Sequence, residues 1–226
     1  MISEFRNFKV YIFAGHFGSG KTEVAVNFAL ELKKYVQRIN IIDMDIVNPF
    51  FRTVDFTHHL SRLNINVVAS RYAGSNLEMP SIPHNIPFLL NEKNSRTILD
   101  VGGDDIGARI LAGYREYIIT HKHRVYCVIN VHRPGTDSPR KIESMIRQIE
   151  ETSKIRVTAL VNNSNLSLET DAKHIIEGQS ILEQVSRQLN IPVTFTCANE
   201  HLLGQLPQSI GKNILIHKIK VMHPWE

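Results

Sequence analysis

The chain has 226 residues, with 42% hydrophobic, 21% charged and 8% aromatic residues, the composition of a folded globular protein rather than a disordered or fibrous one. Its 26 Lys+Arg against 22 Asp+Glu leave a net charge of only +4, so composition does not argue for nucleic-acid binding. Cys127 and Cys197 stand alone inside apolar runs, which excludes a disulfide framework or a CxxC metal or redox pair and fits a cytoplasmic location; the N-terminal apolar stretch is too short for a signal core or a membrane span.

Residues 9–14 (KVYIFA) read as a buried strand, and residues 23–37 as a helix on the spacing of Val24, Phe28, Leu32 and Tyr35. A second strand is expected at 40–43 and a third at 65–69, with a Pro-containing segment at 44–52 between them. Residues 70–95, rich in Pro, Asn and Ser, read as a surface excursion holding one short helix. Then come a strand at 96–101, a helical run through Ile106, Ile110, Tyr114 and Tyr117, and an apolar strand at 125–131 expected at the centre of the sheet. Helices at 138–151 and 169–188 alternate with strands at 156–162 and 192–196. This alternation implies one three-layer α/β domain over 1–226, a mostly parallel sheet between helices, because parallel strands need crossover connections. The tail, about 209–226, reads as an extended arm lying on the domain.

Gly15-His16-Phe17-Gly18-Ser19-Gly20-Lys21-Thr22 satisfies GxxxxGK[ST], and it lies between an expected strand and an expected helix. Chance occurrence in a chain of this length is on the order of one per cent. Glycines permit the torsions and close approach by which successive N–H groups face phosphate oxygens, and the helix start adds its positive dipole end. Lys21 is expected to reach the β- and γ-phosphates, and Thr22 to place its hydroxyl on Mg²⁺. Asp100 closes the strand before Gly102 and Gly103, where a metal-holding carboxylate belongs; Asp43 and Asp45 close the second strand at the same rim, where one or both could hold the metal shell or orient water.

Two further stretches have both a functional and a plain structural reading. Residues 133–137 lie on the rim or form a turn and helix cap. His58, His59, His121, His123 and His132 lack ligand spacing and read as solvated or capping residues.

Ile41-Ile42-Asp43-Met44-Asp45, leading into Asn48-Pro49-Phe50-Phe51-Arg52, together with a P-loop carrying the extra Gly18, resembles the ParA/MinD/CobQ-like branch of the SIMIBI class of P-loop NTPases. The resemblance covers roughly residues 8–200 and is most specific at the P-loop. It implies a Mg·ATP-dependent switch that hydrolyses ATP slowly and acts on a protein partner, with 43–52 and 100–105 as the switch segments. By that resemblance Lys21 and Asp45 are catalytic, Asp45 positioning water; Thr22, Asp45 and Asp100 attend the metal, and Arg52 neutralises phosphate charge. Many members carry a second lysine after the first P-loop glycine that reaches across a nucleotide-dependent homodimer; this chain has His16 there, followed by Phe17. Asn162 and Asn163 fall where this branch contacts the purine, and Asn163 and Asn165 replace the Lys and Asp of the guanine-reading NKxD pattern, which points to ATP over GTP. A turn formed by these asparagines is the plain alternative. Two other functions fit the same core: phosphate transfer to, or carboxylate activation of, a small molecule, as in dethiobiotin synthetase-like or cobyrinate-amidating proteins, and a nucleotide-binding regulatory subunit.

Overall fold

A computed structural model describes residues 5–45, 57–69, 85–103, 105–211 and 213–219. Among the described residues eight strands form one sheet in the order β3-β2-β4-β1-β5-β6-β7-β8, and every neighbouring pair is parallel. They are β1 Val10–Ala14, β2 Arg38–Asp43, β3 Ile65–Val68, β4 Ser95–Asp100, β5 His123–Ile129, β6 Ala159–Asn162, β7 Val193–Ala198 and β8 Ile214–Ile216. The chain builds outward from β1 in two directions, with β2 to β4 on one side and β5 to β8 on the other. The carboxyl end of β1 is therefore where the strand order reverses, the place at which α/β sheets open a crevice for ligands.

Alternation along the inner strands separates two apolar layers. Val10, Ile12 and Ala14 enter one together with Ile42, Leu99, Cys127 and Ile129; Tyr11 and Phe13 enter the other with Ile39, Ile41, Ile98, Tyr126 and Val128. The first layer is covered by α3 (Ile86–Asn91), α4 (Asp105–Gly113), α5 (Arg115–Ile119), α6 (Pro139–Ser153) and α7 (Ala172–Leu189), through residues such as Leu90, Leu111, Ile118, Ile146 and Leu182. The second is covered by α1 (Lys21–Lys33) and by Leu60 of α2 (Thr57–Arg62). Phe13, Phe28, Tyr126 and Phe195 form its centre, the Phe13 and Tyr126 rings stacked at 5.0 Å. The helix α1 is buried along most of its length, from Val24 to Leu32.

Several expected boundaries move for local reasons. The helical run from 106 breaks into α4 and α5 around Gly113 and Tyr114, where glycine weakens the helix and the Tyr114 amide turns back to the Leu111 carbonyl. The strand expected at 125–131 starts two residues earlier and stops at Ile129, because buried Asn130 leaves the ladder to bond the following loop. Residue 209, where the extended arm was expected to begin, lies in the short helix α8 (Gln208–Gly211), in which the Ile210 and Gly211 amides bond the Pro207 carbonyl. The extended part starts at 213 and, through β8, pairs with β7 as a further strand of the sheet. Residues 220–226 of the arm lie outside the described residues. No described helix is long and apolar enough to cross a membrane.

Candidate functional site

The P-loop follows β1 at the carboxyl rim and runs into α1 at Lys21. Its backbone departs from ordinary conformations at Gly15 (φ 149°), Gly18 (φ 73°) and Gly20 (φ 82°). At Gly15 a β-carbon would stand 2.3 Å from the Val128 carbonyl oxygen, so the loop leaves β1 hard against β5. Gly20 is the N-cap of α1 and carries no side-chain cap, leaving the first amides of the helix directed into the loop. Lys21 is buried at 7% exposure and donates from Nζ to the His16 carbonyl at 3.0 Å, spanning the loop from end to end. Ser19 is fully buried, His16 half-buried and Phe17 59% exposed at the loop's crest.

Two carboxylates stand beside this loop. Asp43 ends β2 and Asp100 ends β4, they are register partners on adjacent strands, and both are buried. Strict alternation with Ile39 and Ile41 on β2 and with Ile98 on β4 puts both on the face that α1 covers. The Met44 amide bonds the Asp100 carbonyl at 2.8 Å, and the Asp45 amide bonds Asp43 Oδ1 at 3.0 Å, so the segment leaving β2 is tied to the end of β4. Two carboxylates and the Thr22 hydroxyl are hard oxygen donors of the kind Mg²⁺ takes while it keeps part of its water shell and a phosphate oxygen. No group of three or more His, Cys, Asp or Glu side chains that could hold a metal occurs among the described residues.

The segment after Asp100 touches the loop directly. A β-carbon at Gly103 would lie 2.6 Å from the Phe17 amide nitrogen and 2.8 Å from Lys21 Nζ. Gly107, in the first turns of α4, packs equally tightly on the Gly102 backbone. A cavity of about 570 Å³ opens beside this contact, lined by Gly15, Phe17 and Gly103 at the loop and by Val101, Leu111 and Met145 behind it.

From the other side the β5–α6 loop closes on the P-loop. The side chain of Arg133 lies 3.7 Å from where a β-carbon of Gly18 would be, and Gly135 (φ 90°) lets its backbone pass against the His16 ring. Thr136 is fully buried and donates to the Asn130 carbonyl at 2.6 Å, fixing that turn.

Asn162 and Asn163, expected near the purine, are both buried and bonded within the protein. Asn162 donates to the Ile175 carbonyl at 3.0 Å and accepts from the Ser164 amide, its place against α7 left open by Gly178. Asn163 donates to the Ser19 carbonyl at 2.7 Å and receives His217 Nε2 on its oxygen at 2.9 Å; Asn165 donates to the Asn163 carbonyl at 2.7 Å. These amides brace the P-loop and the rim of β6. Arg52 and most of the 43–52 segment, like Asp104, lie outside the described residues.

Sequence reading did not single out His217, Glu23, Asn27 or the contact of Arg133 with the P-loop. Asn27 was the available signal: a polar residue among Val24, Ala25, Val26 and Phe28 on a buried helix requires a partner.

The sequence matches no protein-family model and no curated protein. Solved structures do match in fold. Chloroplast FtsY from Physcomitrella patens superposes with a TM-score of 0.56 at 18% identity, over 83% of this chain and 57% of that one. A nucleotide-binding protein from Archaeoglobus fulgidus, solved in complex with ADP, gives 0.52 at 16% identity over 89% and 87% of the two chains. FlhF complexed with GTP and Mg²⁺ gives 0.52 at 13% identity, over 91% and 68%. The chain thus spans 57% of the length of that FtsY. It has the α/β fold shared by these proteins.

Proposed function

We propose that the chain binds Mg·ATP at the P-loop, hydrolyses it slowly, and uses the cycle to reposition residues 43–52 and 100–105 against a protein partner in the cytoplasm. The observation that carries this reading is the contact of Gly103 with Phe17 and Lys21, because a phosphate that draws Lys21 away from the His16 carbonyl must be felt by the segment that follows Asp100. Lys21 would stabilise charge on the transferring phosphoryl group, Asp45 would orient water, and Arg52 would offset phosphate charge. Thr22 and Asp100 would hold Mg²⁺, which would supply neutralisation of phosphate charge, with Asp45 nearby and Asp43 beside Asp100 on the same face. We choose ATP over GTP because Asn163 and Asn165 replace the Lys and Asp of the guanine-reading pattern; the similar structures include both an ADP and a GTP complex.

Phe17, exposed at the crest of the loop, supports an association face there, including a nucleotide-dependent homodimer. Hydrolysis assays with ATP and GTP, run on the wild type and on Asp45→Asn, test the reading. Turnover unchanged by Asp45→Asn would sink the water-positioning role. Light scattering with and without a nonhydrolysable ATP analogue tests the dimer.

The cavity beside Gly103 favours one second reading. Its apolar back wall and its shared wall with Gly15 and Phe17 suit a small acceptor molecule facing the terminal phosphate. Turnover that requires an added metabolite would select it over the switch.

A further inference from the structure

We infer that His217 is a positioning residue of the phosphate site, and that the C-terminal strand is coupled through it to nucleotide binding. The inference rests on the nucleotide-binding reading above and adds a part of the chain that no P-loop motif contains.

The Ser19 carbonyl lies inside the P-loop. A carbonyl oxygen accepts, so the Asn163 group 2.7 Å from it must be the amide nitrogen. The Asn163 oxygen then points the other way and needs a donor, which is His217 Nε2–H at 2.9 Å. The second ring nitrogen of His217 lies 3.1 Å from Glu23 Oε1, two residues beyond Lys21 in the first turn of α1, an approach that is an ion pair when both ring nitrogens carry protons. The imidazole thus joins the loop on one side to the helix start on the other. Its side chain is only 9% exposed, so solvent is a poor substitute for either contact.

The main chain around His217 is held independently. Its amide bonds the Ala198 carbonyl at 3.0 Å, continuing the β7–β8 ladder. One turn along α1, buried Asn27 brackets the next two residues: its oxygen accepts the Lys218 and Ile219 amides at 2.7 and 3.0 Å, and its nitrogen donates to the Ile219 carbonyl at 2.7 Å. These contacts span 191 or 192 residues of sequence and rank among the most non-local hydrogen bonds of the chain. Gly20 completes the arrangement. A β-carbon there would stand 2.4 Å from Asn163 Nδ2, so the loop and the asparagine can meet only because position 20 is glycine.

A loop whose torsions are set by this chain of bonds is preorganised for phosphate only while residues 217–219 are docked. Linkage requires the converse: phosphate on the loop strengthens the docking of the C-terminal segment.

The test uses the full chain with Mg²⁺ and fluorescent N-methylanthraniloyl ADP and ATP, and follows hydrogen exchange in parallel. His217→Ala should weaken nucleotide binding by about 10-fold and speed exchange at 15–22 in the nucleotide-free protein. His217→Gln, whose amide can still donate to Asn163, should stay within about 3-fold of wild type. Asn27→Ala, which leaves the Asn163 contact intact but releases 218–219, should weaken binding by an intermediate factor; it decides the matter if His217→Ala fails to fold. In the wild type, saturating nucleotide should slow exchange at 213–219. Wild-type affinity in both His217→Ala and Asn27→Ala, with unchanged exchange at 15–22, overturns the inference. A wild type that binds no nucleotide, indistinguishable from Lys21→Ala, overturns the underlying reading instead, while exchange at 15–22 in nucleotide-free His217→Ala still decides the positioning role.

Discussion

Gly103 sits against Phe17 so closely that a β-carbon would stand 2.6 Å from the Phe17 amide nitrogen, backbone that cannot yield without moving the P-loop. Gly103→Ala is therefore expected to destabilise the fold by about 1–3 kcal/mol, as overpacking does. It should also weaken nucleotide binding, because the displaced atoms belong to the loop. Gly113→Ala is the control: nothing lies within 4 Å of its added carbon, and a gain of about 0.4–1 kcal/mol is expected. Chemical denaturation of both variants checks the contrast.

Lys21 is buried and already spends its ammonium on the His16 carbonyl. Replacing it with Ala should leave the chain folded but remove the thermal shift produced by Mg·ATP. At a ligand concentration of about 100 Kd the wild type gains roughly 2.7 kcal/mol. Differential scanning calorimetry with and without nucleotide reads the difference, and tight Mg·ATP binding by the variant would count against the phosphate site.

Arg133 reaches the loop at Gly18 from a turn pinned by Thr136. In the phosphate-binding reading proposed above, a guanidinium there would face the charge that grows on the phosphates during transfer. Arg133→Ala should lower turnover by about 10²-fold while changing nucleotide affinity much less. Arg133→Lys should recover only part of the loss, since a lysine lacks the planar fork. Steady-state turnover set beside direct binding separates the two effects.

Burial pushes the Cys127 thiol up to about 12 and the Cys197 thiol well above its ordinary value of 9.0, and burial likewise raises Tyr11 from 10.0 to about 12. The native state holds these protons where the unfolded chain releases them. Stability should therefore be unaffected by these groups below pH 9 and fall as pH rises from 9 towards 12. Native protein should resist a thiol-specific disulfide reagent at pH 8, and both cysteines should react in denaturant.

Much of the fold was legible because its signals are local. Short apolar runs at 9–14, 40–43 and 96–101 alternate with helical spacing, and each appears as a strand within one or two residues of its expected bounds. The strand expected at 156–162 is paired with its neighbours only from Ala159, since apolar content does not reveal where a ladder begins. The edge strand β8 and the helix α8 were harder to read. They are three and four residues long, and their stability comes from packing Ile210 and Ile214 with Leu202, Leu206 and Ile175, contacts that no periodicity of so short a segment records.

The amino-acid sequence by itself determined the phosphate loop, since glycine torsions, a lysine and a threonine at fixed spacing are a property of eight consecutive residues. It determined the parallel α/β class for a similar reason, because alternation is written along the chain. Tertiary structure alone decided what braces that loop. Asn163, Arg133 and Gly103 converge on it from three different strand ends, and His217 arrives from the far edge of the sheet nearly 200 residues later. Such partners are chosen by which strands become neighbours, a consequence of burying two apolar faces at once rather than of any local pattern.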